Sequence, residues 1–318
     1  MEYSGAHQKD DAARALIKRV GPIHYRHRLD VQQHHAAQMV GQGTTLFHIE
    51  NVDWLLEILR YALRLFCLYG MGNRNAKRIQ TRTNRLRLPG LPEAFRGFTM
   101  LHITDLHIDL DPGFLDALIS RLEGVDYDCC VMTGDFRAAT SGSYRAAVDR
   151  VGLLMGHLKQ PVYAVLGNHD FIEMVPEMEA MGIRFLLNEH VTIERDGQTI
   201  YLAGVDDPHM YQADNFHRAG EGIPRDATAI VLSHSPEAYR KAAACGFGLM
   251  LCGHTHGGQI CLPGGIPLTR NCHCLWRMAR GPWSYHALAG YTSAGSGSCG
   301  VPVRFFSPPE IALHVLEP

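Results

Sequence analysis

Five short polar segments follow short apolar runs, in order, along this chain. Asp105-Leu106-His107 follows residues 98–104, and Gly134-Asp135 follows 128–133. Gly167-Asn168-His169-Asp170 follows 161–166, His234 follows 229–233, and Gly253-His254-Thr255-His256-Gly257 follows 248–252. The apolar runs read as strands, and 112–122, 144–158 and 236–244 read as helices between them. Residues 191–193 and 199–204 read as a hairpin around Asp196-Gly197. Strands alternating with helices imply a layered α/β fold. Each polar segment then lies just past the carboxyl end of a strand, where open α/β sheets hold their ligands.

The residue types suit two adjacent metal ions. Asp105 and His107 share one face of an extended segment, so both reach one centre. Gly134 permits close backbone approach, and the Asp135 carboxylate can bridge two cations. Asn168 offers a neutral carbonyl oxygen, and His254 and His256 sit two apart in a glycine-rich loop. Imidazole with carboxylate suits Mn, Fe, Zn or Co better than Ca. A two-metal site supplies a nucleophile at neutral pH and clamps both oxygens of an in-line phosphoryl displacement. Arg137, two residues beyond Asp135, is a candidate phosphate clamp, with a surface ion pair as the competing reading. Met132, Met155 and Met250 fall on core elements and read as packing.

The segments D-x-H, GD, GNHD, H and GHTH resemble the calcineurin-like metallophosphoesterase superfamily over residues 84–318. The tail, with Tyr291-Thr292-Ser293-Ala294-Gly295, Pro302-Val303-Arg304-Phe305 and Pro308-Pro309-Glu310-Ile311, is similar to a bacterial branch often linked to membranes. That branch includes phosphodiesterases and UDP-2,3-diacylglucosamine pyrophosphatases. The resemblance implies a four-layer α/β/β/α sandwich. It implies a first metal held by Asp105, His107, Asp135 and His256, and a second held by Asp135, Asn168, His234 and His254, with manganese favoured over iron or zinc. His169 would face the leaving oxygen and either protonate it or stabilise its charge, and Asp170 would orient His169 or stabilise its charge. The implied activity is hydrolysis of a phosphodiester or pyrophosphate, on a lipid-linked nucleotide such as UDP-2,3-diacylglucosamine. A soluble phosphodiesterase acting on cyclic nucleotides or small phosphodiesters is the alternative. A non-catalytic scaffold on the same fold would be expected to lack ligands, and here every ligand position is filled.

The rest of the chain is less specific. Residues 1–50 read as a weakly ordered leader in which 12–20 could form one short helix, 51–81 as an amphipathic helix and basic linker, and 82–318 as the catalytic domain. In the helix expected over 52–69, Asp53, Glu57, Arg60 and Arg64 fall on one narrow stripe and the remainder is largely apolar. Such a face needs a partner: the catalytic domain, another subunit, or a lipid interface. Arg74, Lys77, Arg78, Arg82, Arg85 and Arg87 follow without an acid, the pattern of an interfacial anchor on an anionic leaflet. A formal net charge of −2 gives no bulk attraction to polyanions, so neither a polymeric nucleic acid nor a protein partner is implied. Nine cysteines with no CxxC pair favour a reducing compartment over a disulfide framework. With no signal peptide and no run of eighteen apolar residues, the expected location is cytoplasmic, with peripheral contact to the inner membrane through residues 52–69. Residues 263–290 could wall the substrate cleft with Trp276, Arg277, Arg280 and Trp283. Cys272-His273-Cys274 reads either as a surface loop or as a third metal site.

Overall fold

The computed structural model describes residues 2–35, 53–269 and 272–318. Two six-stranded sheets form its centre. The first runs β1 (Gln80–Arg87), β14 (Glu310–Glu317), β2 (Thr99–Ile103), β3 (Cys129–Met132), β4 (Val162–Ala164) and β5 (Ile183–Phe185). The second runs β12 (Gly281–Tyr285), β13 (Leu288–Thr292), β9 (Leu249–Cys252), β8 (Ala229–Leu232), β7 (Gln198–Gly204) and β6 (Glu189–Arg195). Helices α5 (Phe114–Leu122), α6 (Arg145–Met155) and α7 (Val175–Glu179) cover the first sheet, and α8 (Phe216–Ala219) and α9 (Tyr239–Ala244) cover the second.

The layering follows from strand alternation. Met100 and Val131 point between the sheets, against Leu202, Ile230, Leu232 and Leu251. Their neighbours Leu101, Ile103 and Cys130 point outward onto Leu118, Val151 and Leu154. On the other side Ala203, Val231 and Met250 meet Phe216, Tyr239 and Phe247. Both faces of both sheets are therefore apolar, and the result is the expected α/β/β/α sandwich. Met132, Met155 and Met250 are all buried in it.

The N-terminal region differs from the leader expected over residues 1–50. Residues 2–35 form α1 (Glu2–Val20) and α2 (Pro22–His35), and residues 36–52 lie outside the described part. Leu16 and Val20 join the helix-side core. Arg19 pairs with Glu179 and Glu189, and Gln32 bonds Glu173. These helices dock chiefly through polar pairs, so no long apolar stripe marks them in the sequence.

The helix expected over 52–69 is α3 (Asp53–Leu65). A left-handed residue, Cys67, separates it from α4 (Tyr69–Ala76). Leu56, Leu59 and Leu63 pack on Val301 and Val303. The opposite face stays open, with Trp54 64%, Phe66 70% and Leu65 78% exposed. The basic stretch is only partly a linker, because β1 pairs parallel with β14 from Gln80↔Glu310 to Arg87↔Glu317. Arg82 and Arg85 meet Glu310 and Glu317, and Lys77 meets Asp111. No helix among the described residues is long and apolar enough to cross a membrane.

Candidate metal centre

The first sheet delivers Asp105 and His107 after β2, Asp135 after β3, and Asn168, His169 and Asp170 after β4. The second delivers His234 after β8, and His254 and His256 after β9. The chain turns sharply at these points. Asp105, His107, Asp135, His254 and His256 all have positive φ, at 53°, 38°, 57°, 72° and 50°. L-residues avoid that region, and its use here is local strain held by the surroundings. Hydrogen bonds from Asp105 N to Gly134 O and from His107 N to Asp135 O, both 3.0 Å, fix two of the turns. Gly134 and Gly167 stack so closely that a Cβ on Gly167 would lie 2.2 Å from Asp135 Oδ1.

The seven expected ligands converge. Asp105, His107 and His256 form one group and Asp135, His234 and His254 a second, with the ligating atoms in each group within 4.8 Å of one another. Asp135 Oδ2 lies 3.3 Å from His234 Nε2 and 3.6 Å from His107 Nε2, at the seam between the groups. Asn168 Oδ1 is 2.9 Å and His254 Nδ1 3.2 Å from His234 Nε2. His107 Nε2 and His256 Nε2 are 3.1 Å apart.

Tautomers decide what this cluster asks for. The His234 Nδ1–H donates to the Thr133 carbonyl (2.7 Å) and the His107 Nδ1–H to the Arg137 carbonyl (2.9 Å). Their Nε2 lone pairs therefore point inward, and that of His234 faces the Asp135 carboxylate and the Asn168 oxygen. So many buried electron pairs require a cation. The same excess of negative charge raises the proton affinity of His234: burial lowers its pKa, but Asp135, Asp105 and Asp207 overcome it and raise it to about 10, so a proton and a metal ion compete for Nε2. Burial pushes Asp105 up to about 7, with help from Asp135 and against His234. Burial would also raise Asp135, yet His234, His169 and His107 hold it well below the usual carboxylate range. Carboxylate, carboxamide and imidazole at one point fit divalent transition metals.

His169 is buried at the rim, its edge against the His107 ring at 4.7 Å. Its Nδ1–H donates to the Ala138 carbonyl (2.7 Å), which leaves Nε2 facing inward, 3.9 Å from Asp135 Oδ2. Asp170 does not orient the imidazole, the first of the two roles expected of it. Its carboxylate accepts the N–H groups of Asp135, Phe136 and Gly167, each at 2.8 Å. It therefore ties two ligand loops together, and the Ala138 carbonyl takes the part assigned to it. Arg137 is neither at a surface ion pair nor open to solvent. Its guanidinium is fully buried over the Phe171 ring at 4.1 Å and donates to the Ser141 carbonyl, while Nε and Nη1 have no protein partner.

Other contributors were given no role by the sequence, although Arg304 lies in the Pro302-Val303-Arg304-Phe305 segment that carries the resemblance. Arg304, fully buried, donates to the His256 carbonyl (3.1 Å) and approaches its Nδ1 (3.2 Å). Burial lowers its pKa to about 10 despite Asp105 and Glu310. The His209 ring lies tilted against His254 at 4.1 Å, and its Nδ1 meets Glu237 Oε2 at 3.0 Å. Cys299 Sγ lies 3.8 Å from His169 Nε2. Buried arginines and loop histidines have no periodicity, so only their position near the named motifs could have flagged them. Cys272 and Cys274 approach to 2.9 Å, but among the described residues no third ligating atom joins them, which leaves the third-site reading without a donor set.

The family profile described as calcineurin-like phosphoesterase matches residues 98–258, about half of the chain. Among curated relatives, an uncharacterized metallophosphoesterase of Bacillus subtilis, YkoQ, is 28% identical, with 76% of this chain and 92% of the relative covered. A zebrafish (Danio rerio) transmembrane protein with metallophosphoesterase domain is also 28% identical. The match there covers 71% of this chain and only 55% of the relative. Among solved structures, the sulfate thiohydrolase SoxB of Thermus thermophilus aligns with TM-score 0.42 at 14% identity, covering 71% of this chain and 57% of that one.

Proposed function

The chain belongs to the calcineurin-like phosphoesterase family, and from that premise we propose a dinuclear metal-dependent hydrolase of phosphodiester or pyrophosphate bonds. The observation that supports this most is the convergence of Asp105, His107, Asp135, Asn168, His234, His254 and His256 on one buried point. Asp105, His107, Asp135 and His256 would hold one ion, and Asp135, Asn168, His234 and His254 the other, with manganese the favoured occupant. Two such ions supply Lewis acidity and lower the pKa of water. The chain's own residues do the rest. Asp170 keeps the Asp135 and Gly167 turns in register. The Ala138 carbonyl fixes the His169 tautomer, so that Nε2 can bring a proton to the leaving oxygen. The two unpartnered Arg137 nitrogens favour an anion next to Phe171.

For the substrate, a lipid-linked nucleotide of the UDP-2,3-diacylglucosamine type is the reading we favour. It is supported by the exposed apolar face of α3, whose opposite face packs on Val301 and Val303, two residues from Cys299 at the site rim. The zebrafish relative's description as a transmembrane protein points the same way. The second reading, a soluble phosphodiesterase, draws on the packed inner face of α3 and on the acids that neutralise Arg82, Arg85 and Lys77.

The test is a manganese-supplemented panel of phosphomonoesters, diesters and nucleotide-sugar lipids, run on wild type and His169→Ala. Diesters or pyrophosphates should be the best substrates. His169→Ala should keep its metals and lose roughly 2–4 kcal/mol of transition-state stabilisation, more with poor leaving groups. Full activity of His169→Ala on a poor leaving group would contradict its role.

A further inference from the structure

Helix α2 reaches the catalytic loop through a single buried cation. The Arg28 side chain is completely buried and lies 3.6 Å over the Tyr211 ring. Its Nε and Nη2 clamp the two Asp206 oxygens, and its Nη1 donates to the Asp170 carbonyl at 2.8 Å. His24, one turn earlier on α2, adds a 2.6 Å contact to Asp206. Gln32, one turn later, accepts the Ile172 N–H at 3.0 Å and donates to Glu173. Tyr211 Oη also donates to the Asp170 carbonyl, at 3.3 Å. The peptide held in this way belongs to the residue whose carboxylate locks Asp135 and Gly167, and it lies one position from His169.

A guanidinium placed in the interior is costly unless its nitrogens find partners. Here all three Arg28 nitrogens have partners, and the partners belong to a loop nearly 180 residues away in sequence and to the site itself. An arginine serving only to dock α2 would need Asp206 alone. The bond to the Asp170 carbonyl joins the N-terminal helices to the Asn168-His169-Asp170 turn. We propose that Arg28 is a positioning residue for the hydrolytic reaction. Helix α2 is then a structural part of the active site, setting where the His169 imidazole stands relative to the leaving group.

The inference rests on the role given to His169 above, and leaving-group dependence separates the two. Full-length protein saturated with manganese is assayed on p-nitrophenyl and phenyl esters of the same phosphodiester. His169→Ala should lose more rate on the phenyl ester, which needs help at its leaving oxygen. Arg28→Ala should reproduce that discrimination at about tenfold, with KM within about twofold and both metals retained, because acid–base help of this kind depends on sub-ångström placement. Tyr211→Phe keeps Arg28 and its ion pair with Asp206 and removes the hydroxyl that donates to the Asp170 carbonyl and also contacts Arg28. It should move the same ratio by a smaller factor, about twofold to threefold, even if Arg28→Ala does not accumulate folded. Arg218→Ala loosens the same helices at the Arg19 and Val20 carbonyls, away from the turn, and should slow both esters equally. Equal losses on both esters in Arg28→Ala and Tyr211→Phe, with discrimination kept in His169→Ala, would overturn the inference alone. A His169→Ala without discrimination removes the premise and the inference together.

Discussion

Left-handed backbone at five ligand-bearing residues costs free energy at each, and glycines let neighbouring turns press close enough to hold them. Gly167 shows how tightly. An added methyl would overlap the Asp135 carboxylate, its amide nitrogen and nothing softer. Gly167→Ala is therefore expected to displace the bridging carboxylate, releasing metal and lowering kcat by about two orders of magnitude. Gly124 also has positive φ, but its Cβ would meet open space, so Gly124→Ala should cost only about 1 kcal/mol of stability and leave metal content unchanged. Metal analysis of the two purified variants checks the contrast. At this scale the ligands were legible because each segment puts a chelating side chain just past a strand end, in three of the five with a glycine beside it. Arg28, Arg304 and the true partner of His169 were not. They act on backbone carbonyls, and a carbonyl has no letter in the sequence.

Among the elements, β2 and β14 carry a feature unrelated to catalysis. His102 and His314 face each other at 3.2 Å, fully buried, and His102 Nε2 contacts the Thr133 hydroxyl at 2.8 Å. Burial lowers the His102 pKa to about 3 and, with His102 as a neighbour, holds His314 well below its ordinary value. The unfolded chain binds a proton on His102 below about 6.5, which the folded chain refuses down to about 3. Stability is then fully present above pH 6.5 and falls as pH drops through that window, by about 1.4 kcal/mol per unit for this histidine. Urea unfolding of wild type and His102→Gln at pH 5 and 7 should show a smaller pH dependence in the variant. An unchanged difference between the two pH values would mean that His102 is protonated in the fold. The strands that lead into the ligands, β2, β3, β4, β8 and β9, were readable as apolar runs between turns, whereas β5, β12, β13 and β14 were not read. Strand β1 was not, because its residues Gln-Thr-Arg-Thr-Asn-Arg-Leu-Arg alternate no apolar face. It is an edge strand whose partner, Glu310–Glu317, lies more than 200 residues on. The same pairing explains why the basic run is less free than its letters suggest.

For the molecule as a whole, the open question of the apolar helix narrows to its outer face. Leu59 turns inward to the Val301–Val303 segment, so it takes no part in any outer contact. Trp54, Leu55, Ile58, Tyr61, Leu65 and Phe66 remain exposed, and Phe306 and Ile266 add apolar surface on the segments beside Phe305 and Ile260, which pack with α3. Fully burying one such side chain contributes roughly 1.5–3 kcal/mol, so half-burying six gives about 5–9 kcal/mol, enough for association in the sub-millimolar to micromolar range. Arg74, Arg78 and Arg87, which form no ion pair among the described residues, would each add about 1 kcal/mol on an anionic leaflet. Wild type should therefore sediment with vesicles containing phosphatidylglycerol, less so at high salt. Leu65→Glu combined with Phe66→Glu should stay in the supernatant while hydrolysing a soluble diester at the wild-type rate. Wild-type protein that stays in the supernatant with every vesicle composition would mean that this face is covered by protein, and the soluble phosphodiesterase reading would then stand.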